Sequence, residues 1–423
     1  MENSKIKKVI ISNMFCKLLL WYDFMIFLDL ANMIGQAFFS PAEPISNLSR
    51  LFGIFAIGFF ARPFGACIFG YIGDRYGRKI SLLTSILLIS LPSCLIALIP
   101  KYDEIGVAAS ILITLFRILQ GISFGAEKGA SIYLLEHSVN RKNLGAFYSI
   151  TGFGKPLGMV LCSVIIIICK KTTDFNAWGW RIPFFFSLFL GTICVYTRSL
   201  IEETIAYKIH ENKKTLSISP LLEVIQDHKR ALILSFTISI AANVSVYFAM
   251  FYRAFTKEIV SLEVYANTYI YEIMLIITSI FAKLSSIIFG ILSDKIGREK
   301  VVIPCLIILM LMCCPMLSIA YHYEDYFFIT LSSLIFAVVK TGTTSISLTL
   351  YELFPTKVRF SGISLSRNLA SAFFGGTTPY VCMWLTTTFT HINFVAGLYV
   401  ILCLLTSLMA ISQIKEQDRK IDW

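Results

Sequence analysis

Residues 70–79 read Gly-Tyr-Ile-Gly-Asp-Arg-Tyr-Gly-Arg-Lys, and residues 290–300 read Gly-Ile-Leu-Ser-Asp-Lys-Ile-Gly-Arg-Glu-Lys. The second stretch repeats the plan of the first, with Asp74 and Asp294 in matching places. Each copy ends one long apolar run and begins the next, which predicts a short charged loop between two hydrophobic helices. An internal duplication of this kind inside a hydrophobic chain is typical of a membrane transporter built from two halves.

The composition is that of a membrane protein rather than of a soluble domain. Hydrophobic residues make up 56% of the 423 positions and charged residues only 15%, whereas the surface of a soluble domain needs more charge. A hydrocarbon layer of about 30 Å requires roughly 20 apolar residues per helix. Twelve stretches reach that length, near residues 15–38, 51–73, 80–99, 106–134, 144–169, 181–200, 231–252, 267–292, 301–320, 326–348, 361–387 and 393–413.

These stretches predict an all-α polytopic membrane protein with twelve transmembrane helices in two pseudo-symmetric six-helix halves. The apolar runs are continuous rather than alternating, which excludes a transmembrane barrel. The longest polar stretch separates the sixth run from the seventh. We therefore expect an N-terminal half over residues 1–198, a cytoplasmic linker over residues 199–230 and a C-terminal half over residues 231–423.

The basic charge of the chain is distributed asymmetrically across the predicted bilayer. Lysine and arginine number 37 against 26 acidic residues, which gives a net charge of +11. Of the 37, 23 fall on the side that carries both termini and the linker, seven fall on the other side and seven lie inside the predicted spans. The positive-inside rule then predicts a multi-pass protein of the cytoplasmic (inner) membrane with both termini in the cytoplasm. Because topology accounts for the charge, we expect no nucleic-acid partner.

No pattern in the sequence predicts catalysis or a bound cofactor. The eleven cysteines lie mostly in apolar runs without paired spacing, as small core residues do. The segment Gly154-Lys155-Pro156 lacks the glycine spacing and the hydroxyl residue of a phosphate loop. We expect no cofactor, no metal and no enzymatic activity, so transport would be driven by gradients rather than by ATP.

Charged and polar side chains inside the predicted spans mark the candidate substrate site. A charge at the middle of a bilayer costs about 2.5–3.5 kcal/mol, so such residues persist mainly where they face a cavity or a partner. Arg62 lies at this depth, with a structural bracing role as its alternative. Lys128, Lys283 and Arg367 lie nearer the cytoplasmic ends, and we interpret them as cations that snorkel there. The residues predicted to form the substrate and proton site are Asp23, Arg117, Lys155, Asn243, Tyr247 and Lys340.

The predicted site carries more positive than negative charge. Arg62, Arg117, Lys155 and Lys340 stand against the single deep acid Asp23, which favours a ligand with a carboxylate, such as an amino acid, a betaine or a dicarboxylate. Burial disfavours the charge of a carboxylate and a neighbouring arginine favours it, so Asp23 is the candidate proton carrier. A fixed structural ion pair between Asp23 and Arg117 is the alternative.

Further segments of the chain are shared with a known family. They are Trp21-Tyr-Asp-Phe24, Arg117-Ile-Leu-Gln-Gly121, Gly125-Ala-Glu127, Trp178-Gly-Trp-Arg-Ile-Pro183, Glu202-Glu-Thr204 and the segment 352–362. Together with the two duplicated loops, these segments resemble the major facilitator superfamily, and within it the metabolite:proton symporter family, in particular the proline/betaine transporters. The resemblance covers nearly the whole chain.

The resemblance implies that the two halves rock about a central site. It also implies that the duplicated loops form a gating motif that latches the cytoplasmic face in the outward-open state, with a role in topology alone as the alternative. The gating residues are Gly70, Gly73, Asp74, Arg75, Gly77, Arg78 and Lys79 in the first loop, and Gly290, Asp294, Lys295, Gly297 and Arg298 in the second.

The resulting hypothesis is proton-coupled import, by alternating access, of a small carboxylate-bearing osmolyte or metabolite such as proline or glycine betaine. Uptake or exchange of a dicarboxylate such as 2-oxoglutarate is the alternative within transport, and a solute sensor that does not transport is the alternative outside it. The expected partners are the small-molecule substrate, protons and the lipid bilayer. We expect the protein to function as a monomer.

Overall fold

The structure is a computed structural model that describes residues 2–40, 47–137, 143–213, 215–259, 268–322, 326–389 and 394–415. Regular secondary structure within these ranges is entirely helical. The helices that precede the polar linker are α1 (Glu2–Asp29), α2 (Ala31–Phe38), α3 (Asn47–Arg75), α4 (Arg78–Leu98), α5 (Tyr102–Ile105), α6 (Val107–Phe124), α7 (Glu127–His137), α8 (Leu144–Thr151), α9 (Gly154–Thr172) and α10 (Ile182–Ser199).

The linker contains two short helices, and a second set of long helices follows it. The linker helices are α11 (Ile205–Asn212) and α12 (Pro220–Asp227). The helices of the second set are α13 (Lys229–Ile259), α14 (Thr268–Ile296), α15 (Arg298–His322), α16 (Tyr326–Gly342), α17 (Ile346–Leu353), α18 (Arg359–Ala370), α19 (Thr378–Thr388) and α20 (Val395–Ser412).

The helical segments are built to cross a membrane. In the described part of the chain, ten of them have the length and apolarity that a span requires. Helix α3 and the segment 359–388 occupy the second and eleventh predicted positions. The prediction of an all-α polytopic membrane protein is therefore confirmed.

The first predicted span corresponds to two consecutive helices. The sequence predicts it near residues 15–38, and α1 begins earlier, at Glu2, and ends at Asp29, after which α2 continues to Phe38. Lysine is a good helix former, so the basic residues before the apolar run extend the helix rather than delay it.

Four membrane segments are interrupted part of the way across. Residues 125–126 separate α6 from α7, residues 152–153 separate α8 from α9, and a 3-10 turn at Thr343–Ser345 separates α16 from α17. A π-helical turn at Ser371–Gly375 follows α18. Interrupted helices at membrane depth are tolerated where they line a cavity or are buried in protein, and they commonly mark functional sites.

Apolar packing joins the two sets of helices at the end of the bundle that carries the duplicated loops and the linker, which we call the loop face. Phe360, at the start of α18, is fully buried there. A Cβ atom on Gly73 of α3 would lie 2.8 Å from the Phe360 ring, and one on Gly129 of α7 would lie 1.9 Å from it. Only glycine therefore permits this approach at either position.

Candidate functional site: a cationic cavity and two latches

A cavity of about 320 Å³ adjoins one of about 90 Å³ in the middle of the bundle. The two share six lining residues and form one central cavity; we call the first its large chamber and the second its small chamber. The shared residues are Trp21, Lys128, Lys155, Ala242, Val246 and Arg367. They come from α1, α7, α9, α13 and α18, so helices from before and after the linker build the cavity together.

The lining of the central cavity is strongly cationic. Four cations precede the linker: Lys17, Arg62, Lys128 and Lys155. Four more follow it: Arg253, Lys283, Lys340 and Arg367. Among the lining residues of the described chain, Glu127 is the one acid.

Glu127 is already shared between two of these cations. Its Oε2 lies 3.1 Å from Lys128 Nζ, and its Oε1 lies 3.3 Å from Lys155 Nζ. The Lys155 ammonium also lies 4.9 Å from the centre of the Trp21 ring, a cation–π distance. These three charged groups therefore leave one net positive charge beside Trp21.

The helix interruptions place several of these groups. Glu127 lies in the first turn of α7, where the helix dipole stabilises an anion, and Lys340 lies in the last turn of α16, where it stabilises a cation. Lys155 is the second residue of α9, after the break between α8 and α9. Three of the four interruptions thus lie beside a charged side chain of the cavity lining.

The small chamber has an aromatic wall. The Arg62 guanidinium lies 3.8 Å from the centre of the Phe59 ring and 4.8 Å from that of Phe124. Its Nη1 donates to the Ser371 hydroxyl in the π-helical turn at 3.4 Å. In that same turn, a Cβ atom on Gly375 would lie 2.8 Å from the Tyr247 ring. The π-helical turn is therefore held between one cation and one aromatic side chain of the cavity.

Asp23 and Arg117 lie outside the set of lining residues, in a separate polar cluster between α1, α4 and α6. Their exposed fractions are 3% and 4%. Arg117 Nη1 donates to Gln120 Oε1 at 3.0 Å, and Gln120 Nε2 donates to Ser93 Oγ at 2.6 Å. Ser93 Oγ in turn donates to Asp23 Oδ1 at 2.8 Å. A chain of hydrogen bonds thus connects the carboxylate with the guanidinium.

The structure divides the six predicted substrate and proton residues into two groups. Lys155, Asn243 and Tyr247 line the small chamber and Lys340 lines the large chamber. Asp23 and Arg117 form the buried cluster instead. Ser93 and Gln120, which connect them, escaped the sequence analysis because a serine and a glutamine in apolar runs are weak signals.

The interpretation of Lys128, Lys283 and Arg367 as snorkelling cations is wrong. All three line the central cavity. Lys128 lies directly after the break between α6 and α7, whereas Lys283 lies within α14 and Arg367 within α18, and both of these helices face the cavity. The adjacent charged residues Glu127 and Lys128 within a membrane segment are the sequence signal that could have identified this part of the cavity lining.

The first duplicated loop contacts the N-terminus of α18. Asp74 Oδ1 accepts the Phe360 amide at 3.2 Å, and Asp74 Oδ2 accepts the Ser361 amide at 2.8 Å. Its carboxylate also lies 3.3 Å from Arg78 Nη2. An anion at a helix N-terminus satisfies unpaired amides and complements the helix dipole. We call this contact the first latch.

The second duplicated loop makes the equivalent contact with α8. Both Asp294 oxygens accept the Gly145 amide at 2.9 Å, and Asp294 Oδ2 accepts the Ala146 amide at 3.3 Å. A Cβ atom on Gly290 would lie 2.5 Å from the Gly145 carbonyl oxygen. We call this contact the second latch. Each latch joins a helix before the linker to a helix after it.

A buried ionic network supports the first latch. Arg78 Nε lies 3.1 Å from Glu136 Oε2, and Arg359 Nη1 lies 3.4 Å from Glu136 Oε1. All three side chains are buried. Beside the second latch, Arg298 forms an ion pair with Glu352 that is partly exposed.

The linker covers the first loop. Lys79 donates its amide to Glu203 at 2.9 Å and its ammonium to the Ser199 carbonyl at 2.8 Å. Arg75 Nη1 donates to the Ile218 carbonyl at 3.0 Å. Burial raises the pKa of the Glu203 carboxyl, although hydrogen bonds from the Thr204 and Lys79 amides oppose that shift. The linker therefore holds the backbone and both of these basic side chains of the first loop.

The glycines of the two loops differ in their surroundings. Gly77 has φ 115° and Gly297 has φ 102°, which other residues rarely adopt. A Cβ atom on Gly70 would lie 2.8 Å from Ser361 Cα. Around Gly297 the space is open, and neighbouring Lys295 is exposed.

Known proteins share this architecture. The solved structure of the major facilitator superfamily proton:xylose symporter XylE bound to 6-bromo-6-deoxy-D-glucose superposes with a TM-score of 0.78, at 18% identity, over 97% of this chain and 95% of that one. At that identity the likeness shows the fold alone. It is a twelve-helix fold, so the predicted number of helices is confirmed.

Sequence comparison identifies closer relatives. The glycine betaine/proline/ectoine/pipecolic acid transporter OusA of Dickeya dadantii is 32% identical, over 91% of this chain and 78% of its own length. The proline/betaine transporter of Escherichia coli K12 is 31% identical over the same shares. The inner membrane metabolite transport protein YhjE of E. coli K12 is 30% identical, over 94% of this chain and 93% of its own length.

Fold, central cavity and paired latches define a membrane transport protein with two halves. The family model described as sugar (and other) transporter matches residues 9–217 and again residues 206–416. The chain belongs to this family, within the major facilitator superfamily.

Proposed function

We propose that the protein is a proton-coupled secondary transporter that imports a small carboxylate-bearing osmolyte or metabolite, such as proline or glycine betaine, by alternating access. The observation that carries this proposal is the central cavity, whose lining sets eight cations against one acid. Such a field attracts a carboxylate and repels a purely cationic solute. The names of the relatives OusA and the E. coli proline/betaine transporter support the choice of substrate.

The proton carrier in this proposal is Asp23. Its side chain is 3% exposed, and the Ser93 hydroxyl donates to its Oδ1 at 2.8 Å. Burial disfavours the charged form of a carboxylate, which is the property that a proton carrier needs. Rearrangement of α4 or α6 within the first half, in step with rocking, would change the Ser93 and Gln120 bridge to Arg117, and with it the proton affinity of Asp23. Replacing Asp23 with asparagine should abolish accumulation driven by a proton gradient while leaving substrate equilibration.

The gating role of the duplicated loops belongs to the same proposal. Both latches are closed on the loop face. If the loop face is cytoplasmic, as its basic charge favours, the described conformation is closed to the cytoplasm. The halves 1–198 and 231–423 would then separate at Asp74 and Asp294 when the protein opens inward, while the linker 199–230 remains on the first loop. We propose that a single copy in the inner membrane performs this cycle, without enzymatic activity.

The cavity also favours a second candidate substrate class. A dicarboxylate such as 2-oxoglutarate brings two negative charges and compensates the excess of cations better than a zwitterion does. Its uptake or exchange is therefore the second candidate function.

Uptake into proteoliposomes tests the proposal. Purified protein is reconstituted, and labelled proline, glycine betaine and 2-oxoglutarate are offered with and without an inward proton gradient. Accumulation above equilibrium that requires the gradient supports symport and identifies the substrate. Equilibration at the same rate without the gradient would contradict proton coupling, and no uptake of any of the three would contradict the proposed substrates.

A further inference from the structure

A buried guanidinium near the loop face lacks an acidic partner. Arg198 lies in the last turn of α10 and is fully buried. Its Nη2 donates to Asn13 Oδ1 at 2.6 Å, and the guanidinium lies 4.7 Å from the centre of the Tyr133 ring. No carboxylate in the described part of the chain forms an ion pair with it. Buried charges persist in proteins when they are paired, so another kind of anion is expected beside Arg198.

A cysteine occupies the position of that anion. Arg198 Nη2 donates to Cys16 Sγ at 3.4 Å. The neighbouring Lys17 ammonium acts on the same sulfur electrostatically. A cation beside a cysteine sulfur stabilises the thiolate, and the thiolate is the reactive form of cysteine. The surroundings therefore favour a Cys16 thiolate as the counter-ion of Arg198.

A second cysteine lies against the first, although the two are far apart in the sequence. Cys194 precedes Arg198 by one helical turn on α10, and its thiol donates a hydrogen bond to Cys16 Sγ. Both side chains are buried, with exposed fractions of 5% for Cys16 and 1% for Cys194. Two sulfur atoms thus meet where α1 packs against α10, one beside a guanidinium and the other donating to it.

A small cavity reaches Cys16 from the direction of the central cavity. Its volume is about 20 Å³, and its lining includes Cys16, Ser85, Ser123 and Glu127. A cavity of this size holds about one water molecule. Glu127 also lines the small chamber, so its side chain separates the two spaces. A reagent little larger than water would reach the Cys16 sulfur when this side chain moves.

From this geometry we infer that Cys16 and Cys194 are an oxidisable thiol pair, in which a small hydroperoxide oxidises Cys16 and Cys194 then closes a disulfide between α1 and α10. Cys16 is the attacking thiol because the guanidinium of Arg198 is directed at its sulfur. Cys194 is the resolving thiol because its proton already points at that sulfur. The disulfide would link α10 covalently to the helix that carries Lys17 and Asp23.

The reaction consumes two thiols and one hydroperoxide. The Cys16 thiolate attacks one peroxide oxygen, the O–O bond breaks, and the released hydroxide takes the Cys194 proton. The Cys194 thiolate then attacks the sulfur of the Cys16 sulfenic acid, so that the S–S bond forms and the S–O bond breaks. The second hydroxide takes a proton from solvent. The two sulfurs lose the two electrons that the peroxide gains, and hydrogen peroxide leaves as two water molecules.

Oxidation of the purified full-length protein tests this inference. The protein is treated with hydrogen peroxide and denatured, its remaining thiols are alkylated, and linked peptides are identified by mass spectrometry. We expect a Cys16–Cys194 peptide pair that disappears after reduction with dithiothreitol. Cys382 and Cys403 are the internal control, because they are buried near one another and no described basic side chain lies beside them. The inference is wrong if Cys16 and Cys194 remain free thiols, or if Cys382 and Cys403 become linked equally fast.

Single cysteine variants test the two roles. In Cys194→Ser, the oxidised Cys16 has no resolving thiol and should accumulate as a sulfenic or sulfinic acid. In Cys16→Ser, Cys194 should remain a thiol, since Arg198 donates to Cys16 rather than to Cys194. The reverse pattern, with oxygen on Cys194 in Cys16→Ser and an unmodified Cys16 in Cys194→Ser, would contradict the assignment.

Variants of Arg198 test the role of the guanidinium. Arg198→Gln should slow disulfide formation roughly ten-fold at about pH 7, where only a few per cent of an ordinary cysteine is thiolate. Arg198→Lys keeps the positive charge and should recover most of the rate. Thermal unfolding shows whether each variant is folded, and Arg198→Lys against the unmodified protein remains the comparison if Arg198→Gln does not fold. An unchanged rate in folded Arg198→Gln, or a ten-fold loss in folded Arg198→Lys, would contradict the pairing of Arg198 with a Cys16 thiolate.

The inference does not depend on the proposed function. Disulfide mapping uses the purified protein without a transported solute or a proton gradient. A Cys16–Cys194 disulfide would therefore support the thiol pair whichever solute is transported, and its absence would leave the proposed function untouched.

Discussion

The two latches descend from one sequence motif, yet their surroundings differ. Asp74 is buried, and beside it Glu136 joins Arg78 to Arg359, the first residue of α18. Asp294 is half-buried, and α8 begins with Leu144 instead of an arginine. The linker covers the first loop, whereas the space around Gly297 in the second is open. The two latches therefore differ in how much each stabilises the closed loop face, although their motifs match. Burial and neighbouring side chains, rather than the motif itself, determine the strength of each contact.

The largest difference between the latches should come from their supporting glutamates. Glu136→Gln removes the charge that compensates two buried arginines, and losing one partner of a buried ion pair costs about 3–5 kcal/mol. Glu352→Gln is the matched control, since its partner Arg298 is partly exposed, and we expect it to cost about 1 kcal/mol. Thermal unfolding in detergent measures both. Equal shifts in melting temperature would show that burial does not distinguish the two sites.

The second-largest expected difference between the latches is in their effect on the transport rate. Asp74→Asn keeps the shape of the side chain but weakens its bonds to the Phe360 and Ser361 amides, and we expect turnover to fall roughly ten-fold, the equivalent of about 1.4 kcal/mol. Asp294→Asn should reduce turnover by about two-fold, since a partly exposed contact is weaker. Initial uptake rates over a range of substrate concentrations measure this effect, with KM nearly unchanged. A larger effect of Asp294→Asn would reverse the proposed ranking.

The turn glycines provide a third comparison between the loops. Gly77→Ala and Gly297→Ala both place a Cβ atom at positive φ, which costs about 1–3 kcal/mol. In the first loop, that atom would also lie 2.5 Å from a Glu203 carboxylate oxygen. Gly77→Ala should therefore lower the melting temperature further than Gly297→Ala does. The double variant Gly77→Ala with Glu203→Ala removes this contact, so relative to Glu203→Ala alone its melting temperature should fall only as far as Gly297→Ala lowers that of the unmodified protein. A larger fall would show that the contact with Glu203 does not cause the extra destabilisation.

The architecture was predictable from the sequence because the length of the apolar runs and the internal duplication each indicate it independently. Twelve apolar runs give the helices, and the two copies of the loop motif give the symmetry. The helix boundaries were less predictable than the number of helices. Lys5 and its neighbours belong to α1 because of their helix propensity, and hydropathy does not measure that property.

The candidate site was less predictable than the fold. Depth along straight helices grouped Asp23 and Arg117 with Lys155, but the structure separates the buried pair from the cavity lining. The break at residues 125–126 directs Lys128 toward the cavity. No local sequence rule predicts how far a helix is rotated about its axis after such a break. The contact of Asp74 with the amides of α18 depends on chain segments far apart in sequence, which one sequence does not reveal.

The smallest expected effect concerns the linker that covers the first loop. Burial raises the pKa of Glu203 above its ordinary value of 4.5. Between the ordinary and the raised pKa the folded state binds more protons than the unfolded state, so stability falls as pH rises through this range. Glu203→Gln should remove part of that fall, by less than about 1 kcal/mol because the group is partly exposed. Melting temperatures of this variant and the unmodified protein, measured from pH 4 to about pH 8, should converge at the acidic end and separate as pH rises, with the variant more stable. Parallel curves would show that the Glu203 carboxyl has the same pKa in the folded and unfolded states, and would contradict the prediction.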